Sequence, residues 1–153
     1  MQALELKVPP PLVAIAIAAL MWALSKLPPA IPWPHPVRSL LLVPLAAAGI
    51  LMTGSGMLAF GLARTTVNPM RPDAAAQLVR TGVYRISRNP MYLGLLLGLI
   101  AWTLALSATW PWLGPLCFVL YMNRFQIAPE ERALSAKFGD SYAQYRARVR
   151  RWL

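Results

Sequence analysis

Roughly 20 apolar residues in a helix cross a bilayer core, and this 153-residue chain carries four apolar stretches near or above that length, at about 12–27, 37–63, 91–106 and 112–127. Hydrophobic residues make up 58% of it and charged residues 13%, against about a quarter charged in a soluble domain. A water-soluble body of this size has too little interior for that much apolar surface. The stretches therefore predict an all-α integral membrane bundle of about four transmembrane helices, forming a single domain over 1–153.

The charges lie almost entirely between and after these stretches. Pro28, Pro29, Pro32, Pro34 and Pro36 close the first in a loop that cannot be helical. The second contains Gly49, Gly54, Ser55, Gly56 and Gly61, small residues that let another helix approach closely, including one from a second copy of the chain. Residues 64–90 are polar and include Arg64, Arg71, Arg80, Arg85 and Arg88. The uncharged linker between the third and fourth stretches, bracketed by Trp102, Trp110 and Trp112, reads as the tip of a tight hairpin at an aromatic belt. From 130 to 153 the chain is basic, and Leu134, Phe138, Tyr142, Tyr145 and Val149 recur at helical spacing. That pattern predicts a C-terminal amphipathic helix on the membrane surface or under the core.

Lys and Arg crowd the central segment and the C-terminal region and are absent from the proline loop and the hairpin tip. The positive-inside rule then puts both termini and the central segment in the cytoplasm, in a multi-pass protein of the inner, cytoplasmic membrane of a prokaryote. Anionic headgroups explain the net charge of +10 better than nucleic acid does, since no polar segment presents a basic face interleaved with aromatics. No metal site is expected: His35 and Cys117 are single and distant, and Cys117 reads as a buried small hydrophobe. The start lacks the basic n-region and cleavage site of a secretory signal, so the first stretch is read as a retained helix.

Ionisable groups near membrane depth are candidates for function because each is costly unless paired. They gather at Arg85, Arg88 and Asn89, and at Arg124, Glu130 and Glu131, and an antiparallel hairpin would bring the two groups to one face. Glu130 and Glu131 could hold an ammonium, Arg88 or Arg124 a carboxylate or phosphate, and Tyr84 and Tyr92 a flat ring or a cation. An amphoteric aromatic ligand suits all three. Mutual interfacial salt bridges, with the tyrosines as belt residues, account for the same side chains.

The run TGVYRISRNPMYLG, residues 81–94, resembles the isoprenylcysteine carboxyl methyltransferase and phospholipid methyltransferase superfamily, whose members carry G-x-Y and then R-H-P-x-Y-x-G at the start of a transmembrane helix. After a hairpin they continue with an acidic pair, F-G, two spaced tyrosines and a basic tail, as in PEERALSAKFGDSYAQYRARVRRWL at 129–153. The resemblance implies methyl transfer from S-adenosyl-L-methionine to a lipid or lipophilic small-molecule acceptor. It implies a cofactor site of Leu78, Val79, Tyr84, Asn89, Pro90, Met91, Tyr92, Glu130 and Glu131, with the acidic pair at the ammonium end. Such a reaction needs little beyond positioning of acceptor against methyl with water excluded. Where the acceptor is an amine or thiol that must lose a proton, Glu131 is the candidate base, and Arg124 is the second residue expected at the reacting end. The pattern departs at Asn89, where eukaryotic members have histidine. It departs again at Gln126, where the prenylcysteine enzymes have an arginine that meets the substrate carboxylate; Arg124 is near but on another helix face.

Two other readings fit the architecture. Membrane sterol reductases resemble it in their C-terminal part and bind a nicotinamide dinucleotide, but this chain lacks a convincing set of Arg and Asp for the cofactor phosphates. A non-enzymatic helical bundle would keep the pocket for assembly or transport.

Overall fold

A computed structural model of the chain describes residues 5–63, 70 and 76–153. Arg64 and Arg71 of the central segment lie outside them. Among the described residues the architecture is helical, with one isolated antiparallel bridge between Ala30 and Ala108. The helices are α1 (Pro10–Leu24), α2 (His35–Leu62), α3 (Pro90–Leu106), α4 (Leu113–Tyr121) and α5 (Ala128–Arg148). Helices α1, α2, α3 and α5 each have proline in their first two positions, where its missing N–H would have had no partner in any case.

The 28-residue α2, with a mean hydropathy of 1.8 over its apolar window, rises about 42 Å and is long and apolar enough to cross a membrane. Leu40, Ile50 and Leu62 on it are 73, 74 and 76% exposed, an arrangement that suits hydrocarbon and not water. The expected stretches at 12–27 and 91–106 form helices of 15 and 17 residues, which rise only about 22 and 25 Å. Their flanking loops must supply the rest of any crossing of a core about 30 Å thick.

Helix α2 lies closest to α3, and the approach depends on bare backbone. A Cβ on Gly49 would sit 2.8 Å from the Gly94 carbonyl oxygen, and one on Gly94 would sit 2.6 Å from that of Gly49 and against Thr53 Oγ1. Gly56 likewise receives the Met91 side chain. Gly54 and Gly61 have nothing within 4 Å of that position, so only part of the expected glycine face is used within the chain. Gly94→Ala is expected to force α2 and α3 apart and lower the unfolding temperature in detergent, whereas Gly98→Ala, where a Cβ meets nothing within 4 Å, should leave it within a degree or two. Equal effects would refute this account of the α2–α3 contact.

On the other side of α3, a core of Met21, Leu99, Phe118, Met122 and Ile127 joins α1 to α3 and α4. The hairpin tip is tied to the proline loop: Trp110 Nε1 donates to the Pro28 carbonyl at 2.9 Å and Thr109 Oγ1 to that of Pro29 at 3.1 Å. Cys117 is exposed on α4, not buried as expected, because it shares the outward face with Leu113 and Leu120.

The fourth stretch and the C-terminal helix, expected as separate elements at 112–127 and 130–153, are continuous. Helix α4 widens into a π-helical turn over Met122–Ile127 and runs on into α5. Pro129 has no N–H for the carbonyl four residues back and its ring crowds that carbonyl; the Phe125 oxygen instead accepts the Leu6 N–H at 3.0 Å. The break in α5 comes later, at Gly139, with φ of +48°, a conformation that glycine adopts without penalty. On the predicted inner face, Tyr142 and Tyr145 are buried and Leu134, Phe138 and Val149 half-buried, and Tyr145 donates its hydroxyl to the Tyr84 carbonyl at 2.7 Å.

Candidate active site

The hairpin delivers the start of α3 and the start of α5 to the same end of the molecule. Arg88 and Asn89 precede α3, Tyr92 lies in its first turn, and Glu130 and Glu131 lie in the first turn of α5. Adjacent carboxylates on one helix point in different directions, and here they have different partners.

Glu131 is a hub. Arg88 donates to its Oε1 at 2.7 Å, and Arg151 to Oε1 at 3.1 Å and Oε2 at 2.6 Å. Burial would raise its carboxyl, but the hydrogen bonds of Arg151 and the charges of Arg151, Arg88 and Arg146 outweigh that and hold it below the usual carboxylate range. Arg88 also donates to the carbonyls of Arg146 and Val149.

Glu130 is the other kind of acid. Tyr92 donates its hydroxyl to Glu130 Oε2 at 3.0 Å, and Gln126 Nε2 donates to the same Tyr92 oxygen at 3.4 Å. No ion pair to Glu130 is found among the described residues. Burial raises its carboxyl to about 7, the Tyr92 hydrogen bond opposing and the Glu131 charge adding to the rise. Tyr84 is near enough that Glu130 helps burial raise its phenol far above the usual range. Phe60 of α2 stands edge-on to Tyr84 at 5.5 Å between ring centres. The result is a protonatable carboxyl beside aromatic rings, with no ion pair among the described residues.

Residues 37–141, more than two thirds of the chain, match the phospholipid methyltransferase family. The chain belongs to that family. It is also 57% identical over 63 residues to an uncharacterized protein of Haemophilus influenzae, a stretch that is 41% of this chain and the whole of that protein. No solved structure matches. Membership makes the chain a membrane-associated methyltransferase of lipid-like substrates.

Within this family member, the expected site residues fall into four groups. Tyr84, Tyr92 and Glu130 converge, with Pro90 buried and Met91 half-buried beside them at the head of α3. Asn89 and Glu131 serve the framework: Asn89 Nδ2 donates to the Arg151 carbonyl at 2.8 Å, so its side chain holds the tail. Leu78 is half-buried and Val79 buried in the irregular run ahead of the Gly82–Arg85 turn. Arg124 stands apart, 47% exposed and paired with Glu5 at 2.8 Å, and Glu5 also pairs with Arg132. The interfacial salt-bridge alternative thus describes Arg88, Arg124 and Glu131, and fails to describe Glu130.

Residues 150–152, expected only as part of a basic tail, tie the start of α3 to the π-helical turn. The Arg150 carbonyl accepts the Arg88 backbone N–H at 3.0 Å, and Trp152 Nε1 donates to Asn123 Oδ1 at 3.1 Å. A tryptophan ending a run of arginines was the available signal. Phe60 carried none, lying in an apolar span where an aromatic is unremarkable.

Proposed function

We propose that this chain transfers a methyl group from S-adenosyl-L-methionine to a lipid-like acceptor at the cytoplasmic face of a prokaryotic inner membrane. In this reading α1, α2, α3 and α4 with its π-helical turn form four crossings, and both termini are cytoplasmic. The observation that carries it is Glu130: a half-buried carboxyl raised to about 7, bonded to Tyr92 and walled by Tyr84, with no cation of its own among the described residues.

The residues fit the cofactor's chemistry. Glu130 is suited to its ammonium, the Tyr84 and Tyr92 rings to a flat base or a sulfonium. One donor nearby, Arg88 Nε, is buried without an acceptor, a cost of about 1–3 kcal/mol that a carboxylate reaching it would relieve. When bound, S-adenosyl-L-methionine supplies a methyl group already activated by its sulfonium. The chain's own part is to bind, orient and exclude water, with Leu78, Val79, Asn89, Pro90 and Met91 forming the wall around the rings. Glu131, with both oxygens held by arginines, positions the start of α3 and is not placed to take a proton from an acceptor. Arg124 fastens the N-terminal segment.

Titration of the detergent-purified protein with S-adenosylhomocysteine tests this reading. Binding in the micromolar range is expected, strengthening as pH rises. The cation selects the ionised form of Glu130, so at pH 6, one unit below a carboxyl at about 7, affinity should be about tenfold weaker than above pH 8. No heat on monodisperse protein would overturn the reading, and pH-independent binding would remove Glu130 from it.

A further inference from the structure

Helices α1 and α2 both pack on α3 but leave a gap between themselves, and the gap is a groove of about 680 Å³. Its floor is α3 at Gly94, Leu95, Gly98 and Leu99, and its walls are apolar residues of α1 and α2. We infer that this groove holds the hydrocarbon chain of the methyl acceptor, an inference that rests on the lipid-methyltransferase reading above and adds where the lipid lies.

Shape and continuity select the occupant. From Ala46 to Met57 the α2 wall runs roughly 16 Å, a long apolar trough that extended hydrocarbon can follow, and one end of it leads to the aromatic rings of the candidate site. Glycines open the groove on both sides: a Cβ at Gly98 on the floor or Gly54 on the α2 wall would meet nothing within 4 Å.

The two ends differ. At one, the Trp102 indole lines the groove and donates to the Ala18 carbonyl at 3.1 Å, bridging α3 to α1. At the other stand Thr53 and Met57, and Thr53 Oγ1 reaches the Met91 carbonyl at 3.5 Å, next to Tyr92. Three residues beyond Met57 on α2, Phe60 touches the ring of Tyr84. A chain with its tail toward Trp102 therefore has its polar end at the side where Tyr84, Tyr92 and Glu130 converge.

The test fills the groove where filling disturbs nothing. Gly54→Leu/Gly98→Leu and wild type are placed in palmitoyl-oleoyl phosphatidylcholine nanodiscs and photolabelled with a hexadecyl diazirine. Saturable labelling of residues 94–102 is expected in wild type and should fall at least tenfold in the variant, while S-adenosylhomocysteine affinity stays within twofold. Methyl transfer from labelled S-adenosylmethionine into a total bacterial lipid extract should fall at least tenfold as well. Labelling that is linear in probe and equal in both proteins would mean bulk lipid contact only. A dimer that the variant converts to monomer would assign the groove to a second copy. Either result, or undiminished methyl transfer in the variant, overturns the inference; loss of cofactor binding in wild type would instead sink the methyltransferase reading and leave chain labelling to stand alone.

Discussion

Glu130→Gln is expected to lose at least 100-fold in affinity for S-adenosylhomocysteine while the protein becomes no less stable. The two halves follow from one fact. Folding raises the Glu130 carboxyl from 4.5 to about 7, so the folded chain binds this proton more tightly than the unfolded chain does. The stability this confers is complete below the unfolded value and is lost as pH rises through about 7; above that, the ionised group opposes folding. Glutamine keeps the shape and can accept from Tyr92 without carrying the charge, so above pH 7 the variant should unfold at the same or a higher temperature. Binding goes the other way, because a partly desolvated ammonium that loses its carboxylate loses several kcal/mol, and each 1.4 kcal/mol is tenfold. A side chain kept at the expense of stability is the pattern of a functional group. Retained affinity in a folded Glu130→Gln protein would remove the acidic residue from the cofactor site.

The helical architecture was legible because a helix that faces hydrocarbon must be apolar all round, and unbroken runs such as 37–63 have few other uses. The meeting of Tyr92 with Glu130 followed from connectivity, since a short uncharged linker leaves the helices on either side only an antiparallel return. The division of labour inside the acidic pair was not legible. Glu130 and Glu131 are identical in chemistry and adjacent in sequence, and only the direction each takes from α5 gives one to Tyr92 and the other to Arg88 and Arg151. Arg124 was grouped with the site by proximity in sequence, but the π-helical turn at Met122–Ile127 resets the faces ahead of α5, and Arg124 turns out to Glu5. The tail was illegible for another reason. Its hold on Arg88 and Asn89 runs through the carbonyls of Val149, Arg150 and Arg151, and backbone acceptors leave no trace in residue identity.

Glu131→Ala should behave oppositely to the Glu130 variant, losing stability first. It strips the carboxylate from Arg88, whose side chain is 11% exposed, and leaves a nearly buried guanidinium uncompensated. Breaking one side of such a pair costs about 3–5 kcal/mol, which corresponds to a fall in unfolding temperature on the order of 10 °C for a chain of this size. Arg124→Ala provides the contrast: its pair with Glu5 is half-exposed on the arginine side, and such pairs contribute about 0–1 kcal/mol. Arg88→Met added to Glu131→Leu should recover much of the loss, because a buried ion pair replaced by apolar groups of similar volume is often neutral. Thermal unfolding in detergent, read beside S-adenosylhomocysteine affinity and methyl transfer, separates the two roles open to this carboxylate. Lost stability that the double variant restores makes Glu131 the member that fixes the start of α3 against α5 and the tail. An unshifted unfolding temperature with undiminished cofactor affinity and abolished methyl transfer would return Glu131 to the role of base, and would require Arg88 and Arg151 to release it when the acceptor binds.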